Sequence, residues 1–104
     1  MSDEKEVRRM SIDPDRLLPG EQTDSKDPDD AKHWIGVYQE LLKTKRSLVA
    51  NLQEMMAPQP KDVREELERA DVQMLQLQIK RFERRLGFWQ ERQAALDGHL
   101  KTSG

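Results

Sequence analysis

Residues 71–89, DVQMLQLQIKRFERRLGFW, decide the fold of this chain. The apolar side chains in this stretch recur alternately three and four positions apart, which is the seven-residue repeat of a helix that packs along one stripe. The repeat has two columns. They are Val72, Ile79 and Leu86, and Leu75, Phe82 and Trp89. A helix with this pattern must bury its stripe against another helix.

The second helix extends beyond this stretch in both directions. We expect it to run from about residue 60 to about residue 97, with Gly98 as its stop signal. Its first half carries a different apolar stripe, which lies on roughly the opposite face in the same heptad frame. That stripe is Val63, Leu67, Ala70, Met74 and Leu77. Two apolar faces in succession predict two partners for this helix, or one partner that wraps around it.

The first helix has a clear beginning and end. Asp27 can cap it and Pro28 suits its first position, so we predict a helix over about residues 28–57. Prolines at 58 and 60 stop this helix and form a linker over residues 58–60. Apolar pairs recur every seven residues along it and make a stripe wider than a two-stranded seam needs.

These elements predict an all-α fold. A linker of about three residues between two long helices requires an antiparallel, coiled-coil-like hairpin over residues 27–98. A lone hairpin would leave apolar columns exposed, so we expect two copies to form a homodimeric four-helix bundle, or a constant protein partner to cover them. Residues 99–104 are predicted to be a disordered tail.

The N-terminal segment differs from the rest in charge and composition. Residues 1–30 contain ten acidic and five basic side chains, a charge of about −5, whereas residues 31–104 contain ten acidic and thirteen basic ones, about +3. Residues 1–26 hold few large apolar side chains, so we predict a disordered acidic arm. A short apolar island over residues 12–20, IDPDRLLPG, is either solvated tail or a docking motif that folds on binding.

Composition and motifs argue against several functional classes. The chain has no cysteine, its two histidines lie far apart, and no phosphate-binding glycine loop or nucleophile motif occurs. We therefore predict no enzyme activity, no metal and no cofactor. No secretory signal or membrane span is evident, which predicts a cytoplasmic protein without membrane contact.

The open end of the hairpin holds the candidate partner-binding residues. All five aromatic residues of the chain fall there, together with a basic cluster and two mid-helix glycines, Gly36 and Gly87. The glycines indicate a close backbone approach, either at a dimer interface or at a pocket rimmed by His33 and Arg84 or Arg85. The predicted partner-binding residues are Trp34, Tyr38, Phe82, Phe88, Trp89, Lys80, Arg81, Arg84 and Arg85.

Three interpretations of the basic cluster stay open at this level. It is a solvated helix flank, a site for an acidic protein surface or for the chain's own arm, or a site for nucleic acid. The function that the sequence favours is a non-catalytic protein-interaction module, an adaptor or regulator that acts through this aromatic and basic end. The alternatives are a nucleic-acid-associated regulator using Lys80–Arg85 and a small-ligand sensor in the helical bundle.

Overall fold

The computed structural model describes residue 13 and residues 15–102, with side chains described as far as Gly98. Helix α1 spans Pro28–Met56 and helix α2 spans Lys61–Leu67. A single π-helical turn, Glu68–Val72, joins α2 without a break to helix α3, Gln73–Thr102. The described part of the chain is therefore helical apart from residue 13, residues 15–27 and the linker at residues 57–60, and it contains no strand.

The hairpin forms as the sequence predicts. The Asp27 side chain caps α1 by accepting a hydrogen bond from the Asp29 amide at 2.9 Å, and Pro28 occupies the first turn. α1 ends at Met56 because Pro58 and Pro60 follow, and the chain reverses there. α1 then packs mainly against α3. The Cα atoms extend over 63 × 32 × 14 Å, so the molecule is one layer of helices.

The second helix of the hairpin, which consists of α2, the π turn and α3, ends later than the sequence predicts. It runs through Gly98 to Thr102, so the boundary predicted at residue 97 and a disordered tail from residue 99 are wrong for residues 99–102. Gly98 does not have the left-handed backbone of a helix stop; among the described residues only Gly20 has a positive φ. Glycine inside a helix costs about 1 kcal/mol relative to alanine but does not end it. Ser103 and Gly104 lie outside the described residues.

The π turn brings the two apolar stripes of the second helix closer to the same face. One additional residue per turn rotates the preceding segment by roughly 100° relative to the following one. Leu67, which lies away from the seam in an unbroken heptad frame, is thereby half-buried, and Val72 at the end of the turn is fully buried. A change of register inside the helix does part of what we expected a second partner to do. Val63 and Leu77 remain 42% and 41% exposed.

The core sits at the open end, where the aromatic residues meet. We call the buried residues there the core cluster: Ala31, Tyr38, Leu42, Phe82 and Trp89. Tyr38 and Phe82 face each other across the hairpin with ring centroids 5.9 Å apart. The remaining two aromatics, Trp34 and Phe88, pack against this cluster. The predicted meeting of all five aromatics at the open end is thus confirmed.

Residues 15–26, which we call the arm, differ from the prediction of a disordered segment. They have no regular secondary structure, yet Leu18 packs against the core cluster and Glu21 is buried. Composition alone could not reveal this, because the arm is ordered by contacts to side chains more than sixty residues away. The rest of the predicted disordered segment, residues 1–12 and Pro14, lies outside the described residues.

The two mid-helix glycines give a first testable prediction. A Cβ added at Gly36 or Gly87 would meet no atom within 4 Å, so within one chain neither glycine permits a close approach. Gly36→Ala and Gly87→Ala should each raise the free energy of unfolding by about 0.5–1 kcal/mol, because alanine loses less conformational entropy in a helix. Urea unfolding of the full chain measures this. A destabilised variant would show that the glycine faces another copy or another molecule.

Candidate functional site

The arm reaches the hairpin through a tight turn at Leu18-Pro19-Gly20-Glu21. The Glu21 amide donates to the Leu18 carbonyl at 3.0 Å, and Gly20 has φ +84°. Proline at the second position and a positive-φ glycine at the third are the requirements of a type II turn. The Glu21 side chain closes the turn from the other side, since its Oε1 accepts from the Leu18 amide at 2.9 Å. The turn therefore presents one carboxylate in a fixed position.

Three side chains of the hairpin bind this carboxylate, and we call them the arm site. Tyr38 on α1 donates its hydroxyl to Oε1 of Glu21 at 2.5 Å. On α3, Arg85 donates from Nη2 to Oε2 at 2.9 Å, and Trp89 donates from Nε1 to the same oxygen at 2.6 Å. Arg85 and Trp89 are four residues apart and so share one face of the helix. One arm residue thereby ties α1 to α3.

The arm site is buried, which makes its electrostatics strong. The Glu21 side chain is fully buried and that of Arg85 is 8% exposed. Burial alone would raise the pKa of Glu21, but hydrogen bonds from Tyr38, the Leu18 amide, Trp89 and Arg85 outweigh it and lower that pKa. Burial likewise opposes the charge of Arg85, yet its bond to Glu21, with Tyr38 close by, raises its pKa. Both groups are therefore charged at neutral pH.

Two further contacts hold the arm on either side of the buried carboxylate. Arg84 pairs with Asp15 at 2.9 Å, with both side chains more than half exposed. Arg92 donates from Nη1 to the Ser25 carbonyl at 3.0 Å. The exposed pair contributes little, at most about 1 kcal/mol, because water screens it. Glu21 is the anchor of the arm.

The structure brings most of the predicted partner-binding residues together, but it uses them within the chain. Tyr38, Phe82 and Trp89 are buried, and Trp34 and Phe88 are half-buried around them. In the basic cluster the four residues have different environments. Arg81 and Arg85 are buried, Arg84 is paired with Asp15, and Lys80 is exposed. Of the three interpretations of the cluster, binding of the chain's own arm is the one the structure contains.

Glu21 is the residue that sequence reasoning missed. The apolar island recognised over residues 12–20 ends one position before it. The signal was the Leu-Pro-Gly sequence, which is typical of a type II turn and places Glu21 at the last position of that turn. Its partners could not be found from the sequence, because no local pattern links residue 21 to residues 85 and 89.

Other kinds of site are not evident in the described part of the chain. No group of three or more His, Asp or Glu side chains there could hold a metal ion. No helix there combines the length and hydrophobicity needed to cross a bilayer. His33 and Gly36 border a shallow depression along α1, which extends to Lys45 and lies apart from Arg84 and Arg85. The pocket predicted between His33 and these arginines is a different feature and stays a prediction.

Comparison of the chain with protein-family models, with curated proteins and with solved structures finds no match. The function must therefore be argued from the geometry of the arm site itself.

The single tyrosine of the chain permits a direct test of the arm site. Burial and then the bond to Glu21 raise the pKa of Tyr38 well above its usual value of about 10. Since the folded state favours the protonated phenol, this contribution to stability is present below about pH 10 and is lost as pH rises through the folded pKa. Tyrosinate absorbance should therefore appear at higher pH in the native chain than in Glu21→Gln or Glu21→Ala. Equal titration curves in all three proteins would contradict the contact.

Proposed function

We propose that this protein is a non-catalytic protein-interaction module, an adaptor or regulator, whose binding site for a partner segment is the arm site. The observation that carries the proposal is the burial of the Glu21 carboxylate under donors from both helices of the hairpin. Such a set of donors recognises a carboxylate on a peptide segment by charge and by direction. The arm fills this site in its own chain and so acts as an intramolecular competitor of the partner.

The attachment of the arm supports this competition. It is joined to the hairpin covalently only at Asp27, the cap of α1, and it contributes no helix or strand to the fold. α1 and α3 also pack against each other along their own seam, so their pairing does not rest on the arm alone. A tethered segment has an effective concentration of about millimolar. A partner at lower concentration must therefore bind the site more tightly than the arm does.

The basic cluster gives less support to the nucleic-acid alternative. Phosphate binding relies on accessible arginine and lysine side chains. Arg81 and Arg85 are buried, and Arg84 is engaged with Asp15. The small-ligand alternative rested on the two glycines and the aromatic cluster, and neither glycine borders a close approach within the chain. We therefore propose neither function, and we propose action in the cytoplasm as the sequence predicts.

The experiment that tests the proposal uses the arm as its own probe. Glu21→Ala in the full chain removes the anchor and should release the arm site. A labelled peptide with the sequence of residues 13–26 should then bind this variant, as measured by fluorescence anisotropy, and should not bind the native chain. The same peptide carrying Glu21→Gln is the matched control. It should bind at least about tenfold more weakly, because hydrogen bonds to a charged group contribute about 1.5–3 kcal/mol.

Two outcomes would refute the proposed binding site. The first is that the peptide fails to bind Glu21→Ala although circular dichroism shows native helicity. The second is that the Glu21→Gln peptide binds equally well, which would mean that the carboxylate is not recognised.

We also propose self-association, which the exposed apolar column of α1 supports. Trp34 and Leu41 begin this column beside the core cluster, and Leu48 and Met55 continue it at seven-residue intervals. Leu48 is 45% exposed and Met55 is 68% exposed, and Val63 lies exposed just beyond the linker. A second copy would cover these side chains and complete a four-helix bundle.

The dimer is tested by placing charged side chains in the exposed apolar column of α1. Leu48→Glu combined with Met55→Glu keeps good helix formers but places charges in the apolar column. Light scattering should give a dimer for the native chain and a monomer for this variant. Gln39→Glu combined with Gln53→Glu is the control, because both glutamines occupy the column of Arg46 on the other flank and are exposed. A native chain that is monomeric at all concentrations would refute self-association.

A further inference from the structure

Arg81 is a buried cation beside the arm site whose hydrogen bonds are incomplete. Only 6% of it is exposed, and within the described part of the chain its Nε and Nη1 atoms have no hydrogen-bond partner. Buried polar atoms without partners are costly, about 1–3 kcal/mol each and more for charged groups. Arg81 is thus a buried cation whose hydrogen-bonding capacity the described structure does not fill.

The charges around Arg81 show what the arm fails to supply. The guanidinium lies over the ring of Phe82, 4.6 Å from its centroid. Asp13 and Glu21 attract it, but neither accepts a hydrogen bond from Nε or Nη1. Burial, followed by repulsion from Arg16 of the arm, lowers the pKa of Arg81. The arm therefore brings a like charge close to a buried arginine.

The position of Arg81 relates this defect to the carboxylate already recognised. Arg81 precedes Arg85 by four residues, about 6 Å along the helix axis. As the arm is followed from Ser25 back to Glu21 and Asp15, its contacts pass from Arg92 to Arg85 and Arg84. A segment that lies along the same path would therefore pass Arg81 a few residues before its Glu21 equivalent.

We infer that Arg81 forms a second carboxylate subsite that the arm leaves unfilled, and that the segment displacing the arm is an acidic protein segment with two carboxylates. One carboxylate replaces that of Glu21 on Tyr38, Arg85 and Trp89. The other accepts a charge-assisted hydrogen bond from the unpaired Nε–H of Arg81. This inference rests on the proposed function, and it explains how a partner in trans overcomes a tethered competitor.

The test adds the missing carboxylate to the probe peptide. The full chain with Glu21→Ala is titrated with the peptide of residues 13–26 carrying Arg16→Glu, and with the same peptide carrying Arg16→Gln. The Arg16→Gln peptide, called the glutamine peptide, removes only the repulsion between Arg16 and Arg81. The Arg16→Glu peptide, called the glutamate peptide, also supplies an acceptor. We expect the glutamate peptide to bind at least about tenfold more tightly than the glutamine peptide, as charge-assisted hydrogen bonds to a buried arginine require.

The tighter binding must come from Arg81. In the chain carrying Glu21→Ala and Arg81→Gln, the two peptides should bind equally. If this variant does not fold, the NMR signal of the Arg81 Nε–H in the chain carrying only Glu21→Ala supplies the answer. It should shift with the glutamate peptide and not with the glutamine peptide. Equal binding of the two peptides to the chain that carries only Glu21→Ala overturns the second subsite. A tenfold preference that persists in the chain with Arg81→Gln overturns it as well.

The same assay separates the two proposals and the two kinds of partner. Failure of every peptide to bind Glu21→Ala refutes the proposed function, whereas binding without a preference for glutamate refutes only the second subsite. A short single-stranded DNA oligomer that displaces the labelled peptide as well as the unlabelled glutamate peptide does would overturn the acidic protein segment as the occupant. Phosphates would then be the anions that the site takes.

Discussion

The buried ion pair between Glu21 and Arg85 is the interaction on which the open end of the molecule depends. Moving a carboxylate and a guanidinium out of water costs several kcal/mol for each ion, and their attraction repays this only when the remaining hydrogen-bond capacity is filled. Tyr38 and Trp89 fill that capacity for the carboxylate, each with one donor, while Nε of Arg85 has no partner. The two aromatic residues thus have a double role, as apolar cover for the core cluster and as polar partners of one carboxylate. Their polar atoms need an acceptor, and the buried charge of Arg85 favours one with negative charge.

This requirement follows from the thinness of the fold. A single layer of two helices, 14 Å in its smallest Cα dimension, has no inside that could hide a wide apolar stripe. The stripe of α1 is wider than its seam with α3, so a further element must cover it. At the open end the arm is that element. Toward the linker, Leu48 and Met55 continue the stripe without such a cover. The apolar stripe is therefore covered at the open end and exposed at the linker end.

Much of the hairpin could be predicted because its determinants are local. The cap at Asp27, the prolines of the linker and the heptad of residues 71–89 act within a few residues, and a short linker leaves the helices one way to pair. The π turn could be foreseen only as a conflict of register between two stripes, since its solution depends on which side chains face α1. The partners of Glu21 lay beyond prediction because they are 17, 64 and 68 residues away. The continuation of α3 past Gly98 shows that one weak helix former does not end a long, packed helix.

The arm resembles a ligand more than it resembles part of the core. Glu21 is its one buried charged anchor, it leaves Leu17 40% exposed, and it leaves donors of Arg81 and Arg85 without partners. An element selected for stability alone would not place Arg16 near Arg81, since replacing a like charge is a simple improvement. Yet the site cannot stay empty at low cost, because removing the arm exposes Trp89 and leaves Arg85 without its counter-ion. A site that needs an occupant, and an arm that satisfies it incompletely, together favour exchange of the arm for a better-matched segment over a permanently closed structure.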